Sequence, residues 1–230
     1  MRTFFNTKFR IFKIFQRALF LLLPFFFLNL AACSKNVRYD DYVSELRQNI
    51  FLVESEEYYL RIYAVEKESP YSADGVPRET SPRTEIYLVA PEGDKECHIS
   101  FTVGEKTYSG EMSYDNARGE YYYYCTLDVS KCNALPCKIK YGDTEFAMNA
   151  LSVLNGNELP PKKILKNVQS ENAELFTALT DKYGFKGEIY MRLIYEDAPY
   201  YYVGIIDRDG NIYAFLVNAT SGKILAKRQP

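Results

Sequence analysis

The chain has no tryptophan and one histidine, His98, among its 230 residues. A Ser-His-Asp or Cys-His catalytic arrangement therefore has a single candidate base. His98 falls on the polar face of a strand pattern with Ser100 and Thr102, where it reads as a solvated strand residue. There is also no HExxH, no Gly-rich phosphate loop and no GxSxG. The zinc-peptidase, P-loop and α/β-hydrolase chemistries thus lack their signatures. No metal and no cofactor is expected, and no catalytic residue is assigned. The apolar run Ala18 to Leu30 is about 13 residues, short of the ~20 that cross a bilayer as a helix. It also contains Pro24, which disfavours a continuous helix.

That run fits a different purpose. Met1 to Arg17 carries Arg2, Lys8, Arg10, Lys13 and Arg17 and no acid. A basic start, a short apolar stretch and small residues before a cut form a secretory signal, here residues 1–32. Leu30-Ala31-Ala32-Cys33 resembles the lipobox of bacterial lipoproteins. The resemblance implies that the Cys33 thiol is acylated, with chains of the palmitate class, and that the chain is cut before it. The product is then extracytoplasmic and lipid-anchored to a bacterial membrane, with 33–41 as anchor and tether. Two or more acyl chains give stable anchoring.

Charge agrees with that placement. The 28 basic residues of the chain, less the five of the leader, face 30 acids, a net −7 for the mature part. This excludes a nucleic-acid partner, which needs a basic face, and leaves the lipid as the grip on the membrane. With 21 tyrosines, the mature protein is rich in a side chain that packs by its ring and keeps its hydroxyl wet.

Four further cysteines, Cys97, Cys125, Cys132 and Cys137, lie in the exported part, where disulfides persist. Cys97 and Cys125 fall on apolar strand faces, which suits either a buried disulfide or two buried thiols. Cys132 and Cys137 flank Asn133-Ala134-Leu135-Pro136 and could staple a small loop. A four-thiolate zinc site is the sharper alternative, and the spacing fits it poorly.

Tyr42 to Ile50 reads as a short helical turn or a first strand. From there the hydrophobic period is two: Leu60, Ile62 and Ala64 share a face, as do Cys97, Ile99, Phe101 and Val103, and then Tyr121, Tyr123, Cys125, Leu127 and Val129. Strands at roughly 8–12-residue spacing predict an antiparallel β-sandwich of immunoglobulin-like pattern over 42–154. Asn155 to Pro161 reads as a linker. Beyond it, Ile164, Leu165, Val168, Leu175, Phe176 and Leu179 follow helical spacing, as one helix or two, with Gly184 as a capping glycine. Strands over 188–195, 200–207 and 211–218 follow, so 162–230 predicts a helix on an antiparallel sheet, with Ile189, Met191 and Leu193 beneath the helix. Asp207-Arg208-Asp209-Gly210-Asn211 looks like the start of a calcium loop, but a hairpin turn accounts for it.

Within this segment Tyr202-Val203-Gly204-Ile205-Ile206-Asp207, Asp209-Gly210 and Asn218-Ala219-Thr220-Ser221-Gly222-Lys223-Ile224-Leu225 resemble the C-terminal half of a PepSY domain. Asn218 and Ser221 depart from that family's usual Asp and Thr. The resemblance implies a helix-plus-sheet PepSY-like domain and a role in modulating an extracytoplasmic peptidase. The aromatic residues Tyr200, Tyr201, Tyr202 and Tyr213 are the expected partner-binding surface. The functional expectation is a non-enzymatic binding or regulatory protein of the cell envelope, its partner an envelope protein or a glycan. A structural or glycan-binding lipoprotein is the alternative, and a carboxylate-based hydrolase the third.

The anchor carries a direct test. Cys33→Ala should abolish incorporation of a metabolically supplied fatty acid, and equal label on mutant and wild type would remove the lipobox assignment.

Overall fold

The computed structural model describes residues 37–69, 76–93 and 95–230; Cys33 and the signal segment lie outside them. The period-two segments become fourteen strands among these residues. In chain order they are β1 (Val43–Glu54), β2 (Tyr59–Glu68), β3 (Thr80–Val89), β4 (Cys97–Val103), β5 (Lys106–Asp115), β6 (Glu120–Cys125), β7 (Ala134–Tyr141), β8 (Thr144–Ser152), β9 (Thr180–Asp181), β10 (Gly184–Phe185), β11 (Gly187–Tyr195), β12 (Pro199–Asp207), β13 (Ile212–Asn218) and β14 (Ile224–Arg228). A 3-10 turn, Tyr39–Tyr42, precedes β1. Two short helices, α1 (Pro161–Glu171) and α2 (Ala173–Ala178), lie between β8 and β9. No helix of the described residues is long and apolar enough to cross a membrane.

Twelve strands form one sheet in the order β14-β13-β12-β11-β1-β2-β3-β6-β5-β4-β7-β8, and β8 pairs back onto β1. Strands β1 to β8 thereby close into an antiparallel barrel. Alternation fills it: Leu60, Ile62 and Ala64 of β2, Cys97, Ile99 and Phe101 of β4, and Leu135, Cys137, Ile139 and Tyr141 of β7 are all buried. Each large apolar side chain so placed stabilises the fold by roughly 1.5–3 kcal/mol. Buried hydroxyls find partners at one end, where Tyr121 donates to the Lys95 carbonyl at 2.8 Å and Tyr141 to the Glu92 carbonyl at 2.7 Å. At Gly110 a Cβ would sit 2.1 Å from the Tyr123 ring, so only glycine lets that ring lie across β5.

The expected architecture is overturned on both counts. The sandwich is a closed barrel, because β8 returns to β1 and joins the eight strands into a single sheet. The C-terminal segment is not a helix-plus-sheet PepSY-like domain. Its meander β11-β12-β13-β14 is hydrogen-bonded to β1 and prolongs the barrel's own sheet. As a whole the described residues are 57% strand and 11% helix. The capping role read for Gly184 also fails: α2 ends at Ala178, and Gly184 opens β10. Its φ of +137° and the Tyr42 hydroxyl, 2.4 Å from where a Cβ would lie, require glycine there.

Within the extension the expected faces are buried in part, with Leu175 and Leu179 only half-buried. Ile164, Leu165, Val168 and Phe176 of the helices are buried, and so are Ile189, Met191 and Leu193 of β11. Pro161 starts α1, where its missing N–H costs nothing. Tyr39, Tyr42, Phe176 and Phe185 pack edge to face or stacked at 4.8–5.9 Å and close one end of this layer.

Both halves depend on β1. The residues whose pattern left a helical turn or a strand open form a twelve-residue strand. One edge pairs with β2 throughout, while the other pairs with β11 at Val43–Arg47 and then with β8 at Phe51 and Leu52. Buried Asn49 sits where the partner changes, beside a bulge. Its Nδ2 donates to the carbonyls of Ser130 (3.1 Å) and Cys132 (3.3 Å), and its Oδ1 accepts from Ile50 N and Ser152 Oγ, both at 2.8 Å. Four hydrogen bonds thus satisfy backbone and side-chain groups that the fork leaves without ladder partners.

Asn49→Leu should therefore destabilise the protein by about 3 kcal/mol, since each orphaned buried group costs about 1–3 kcal/mol. Urea unfolding would measure it; a loss under 1 kcal/mol would mean that the fork does not need the amide.

Candidate functional site

The inner face of the barrel continues under the helices as the buried face of β11–β13. The opposite face is open, and across β11, β1, β2, β3 and β6 it forms a concavity of about 620 Å³. Alternation places its side chains. Tyr59, Arg61 and Tyr63 oppose buried Leu60, Ile62 and Ala64 on β2, and Glu85 and Tyr87 oppose Ile86 and Leu88 on β3.

Six cations line it, Arg47, Arg61, Lys67, Arg83, Arg118 and Arg192, with four carboxylates, Glu45, Glu85, Asp115 and Glu120. Every carboxylate is engaged. Arg192 grips Glu45 with Nε at 2.6 Å and Nη2 at 2.9 Å, and Lys67 stands 3.5 Å from the same group. Arg61 pairs with Glu120, Arg118 with Asp115 at 3.6 Å, and Tyr87 donates to Glu85 at 3.1 Å. Arg47 is different. Its guanidinium lies 3.9 Å from the centre of the Tyr63 ring, Nη1 donates to the Leu193 carbonyl at 3.3 Å, and its Nε is buried without a hydrogen bond. Among the described residues it contacts no carboxylate, and neither does Arg83, which lies 4.7 Å from the centre of the Tyr124 ring.

Between these cations runs a chain of tyrosines. Tyr63 meets Tyr87 at 5.5 Å, Tyr87 meets Tyr122 at 5.0 Å, and Tyr122 meets Tyr124 at 5.6 Å. Burial, then the nearby Glu85 charge, raises the hydroxyls of Tyr87 and Tyr122 above their ordinary value. Both hydroxyls therefore stay protonated at neutral pH, the Tyr87 proton engaged by Glu85 and the Tyr122 hydroxyl able to donate. Burial lowers the Arg47 guanidinium from its usual value, against the pull of Tyr63 and Glu45. A cation held partly desolvated, with carboxylates near it but none in contact, is an arrangement that an anion improves.

The residues expected to bind a partner are scattered. Tyr201 is 2% exposed on the helix-covered face. Tyr213 is half-buried on that same side. Tyr200 donates to Asp197 at 2.9 Å, and Tyr202 lies on the open face, stacked on Tyr190 at 5.8 Å. The four cysteines are free thiols, with Cys97 and Cys137 buried in the barrel. Burial pushes both of these thiols up to about 12, so they are inert at neutral pH. Cys97 and Cys125 stand on β4 and β6 with β5 between them. Two ladder spacings, about 9 Å, exceed the ~7 Å Cα limit for a bridge. His98 is exposed in a row with Glu111 and Lys140. The described residues hold no group of three His, Cys, Asp or Glu arranged for a metal.

Arg47, Arg61, Arg83 and Arg192 were not singled out from sequence. The available signal was the polar face of β2, Tyr-x-Arg-x-Tyr, opposite an unbroken apolar face.

Glu45 gives the site a pH signature. Burial raises its carboxyl, but the Arg192 hydrogen bond and the charges of Arg192, Lys67 and Arg47 outweigh that and hold it below its ordinary value. Its stabilisation is complete above the unfolded value of about 4.3 and disappears as pH falls through the lower folded value. Glu45→Gln should thus flatten the fall of Tm below about pH 4; a mutant curve parallel to the wild-type one there would contradict this account. Comparison of the chain with protein-family models and with curated proteins finds no match.

Proposed function

We propose that the protein is a non-enzymatic binding protein, lipid-anchored in a bacterial cell envelope, whose open arginine–tyrosine face takes an anionic ligand. The observation that carries the reading is Arg47: a partly buried guanidinium with no carboxylate partner, seated on Tyr63 in a concavity of about 620 Å³. An incoming carboxylate, phosphate or sulfate completes it with charge-assisted hydrogen bonds.

The anchor at Cys33 and the envelope location rest on the leader and its box. The peptidase-modulating role rested on the PepSY resemblance and goes with it. A hydrolase is disfavoured by the same inventory of contacts. The carboxylates of the concavity are held by Arg192, Lys67, Arg61, Arg118 and Tyr87, whereas a general acid needs a carboxyl poised to exchange its proton.

Tyrosine fluorescence, undisturbed by tryptophan, provides the assay. Titration with citrate, pyrophosphate and uronic or sulfated sugars, against neutral sugars of equal size, should show saturation by at least one anion class. That affinity should fall as salt rises, and Arg47→Gln should weaken it at least tenfold at a temperature well below the mutant's own Tm. Saturation by neutral sugars alone, or an Arg47→Gln protein that binds as wild type, would defeat the reading.

A further inference from the structure

The register of the sheet places the arginines in a line. Arg192 of β11 is level with Arg47 of β1, Arg47 with Val65 of β2, and Val65 with Arg83 of β3. Three arginines therefore lie in one row running across four strands, with buried Val65 as a low floor between two of them. At about 4.8 Å per strand, the Cα atoms of Arg47 and Arg83 are about 10 Å apart. Arg192 is committed to Glu45, which leaves Arg47 and Arg83 as the open cations of the row. Their side chains lean apart: Arg47 reaches the Leu193 carbonyl on β11, and Arg83 lies over Tyr124 on β6. One small anion at Arg47 does not also engage Arg83.

From this spacing, and resting on the anion-binding reading above, we infer that the ligand is an extended acidic oligosaccharide that crosses the strands and places one carboxylate at Arg47 and a second at Arg83. The surroundings favour a sugar chain over an acidic peptide. Tyr63, Tyr87, Tyr122 and Tyr124 run beside the arginine row in continuous ring contact and offer ring surface and hydroxyl donors to sugar hydroxyls. Among the described residues that line the concavity none is aliphatic, and Val65 beneath the row is buried, so little apolar surface is offered to anchor a peptide side chain. Beneath the row β11, β1 and β2 are hydrogen-bonded on both edges, and β3 pairs with β6 only from Thr84 onward, so across the first three strands a peptide finds no edge on which to add itself as a strand.

Galacturonic acid oligomers of one to eight units are the probe, with neutral oligomers of equal length and polyglutamate of equal charge as controls. Affinity should rise at least tenfold between the single acid and the shortest oligomer that spans about 10 Å, then level off. Arg83→Gln should remove that rise and leave the single acid's affinity unchanged, whereas Arg47→Gln should weaken both. Arg83→Lys, which keeps the charge, should retain most of the rise and separates loss of contact from loss of fold. A single acid that binds as tightly as the longest oligomer, or an undiminished rise in Arg83→Gln, overturns the two-point inference and leaves anion binding at Arg47 standing. Polyglutamate binding as tightly as the oligomers overturns the sugar assignment. Binding of pyrophosphate without any galacturonate also refutes the sugar, while failure of every anion takes the functional reading with it.

Discussion

The structure hangs on the hydrogen-bonding capacity of one strand edge. β1 must serve two neighbours on the same side, and no regular ladder can change partner without stranding backbone groups. The Asn49 amide, with two donors and one oxygen that accepts twice, fills the gap. Because β1 is shared, barrel and extension have a common buried face and a common open face. The cationic row is a product of that continuity. Arg192 comes from the extension and Arg47 and Arg83 from the barrel, and only the parallel pairing of β11 with β1 makes them level.

Much of the local structure was legible. Alternation identified the inward faces of β2, β4 and β6 and the apolar face of β11, since burial on a pleated surface forces period two. Closure was not legible. The same alternation describes a strand in a sandwich and a strand in a barrel, and what distinguishes them here is the pairing of Phe51 and Leu52 with Ser152 and Leu151, a hundred residues away. The resemblance to PepSY has a physical origin in turns. Asp207 Oδ1 accepts from the amides of Asp209 and Asn211. Asn218 Oδ1 accepts from the amides of Thr220 and Ser221. These are side chain-to-backbone turns that tight hairpins of many folds share, so the matching residues reported a meander and not a family. The site was half legible. The tyrosine run 121–124 had to send rings outward, but a guanidinium that contacts no carboxylate is invisible until the strands carrying every nearby carboxylate are in register.

Electrostatically the open face runs against the rest of the molecule. The chain carries a net charge of −2, yet the concavity holds six cations to four carboxylates. A cationic patch walled by low-dielectric strands and set in an acidic surround concentrates its field locally. This favours selection of ligands by the spacing of their charges over long-range attraction of any polyanion.

The shared strand also sets an order of events. A chain that emerges from its N-terminus presents β1 early, and β2 can pair with it at once as a hairpin. The other edge of β1 must wait for β8 at residues 144–152 and for β11 at residues 187–195. Contacts of such sequence separation fold slowly, and an exposed strand edge invites pairing with the wrong chain. For most of its emergence the molecule is an incomplete barrel with an open seam; β8 closes the barrel at residues 144–152, and the last third of the chain then covers the rest of the β1 edge with β11. Truncations at the C-terminus therefore strike the beginning of the fold as well as its end.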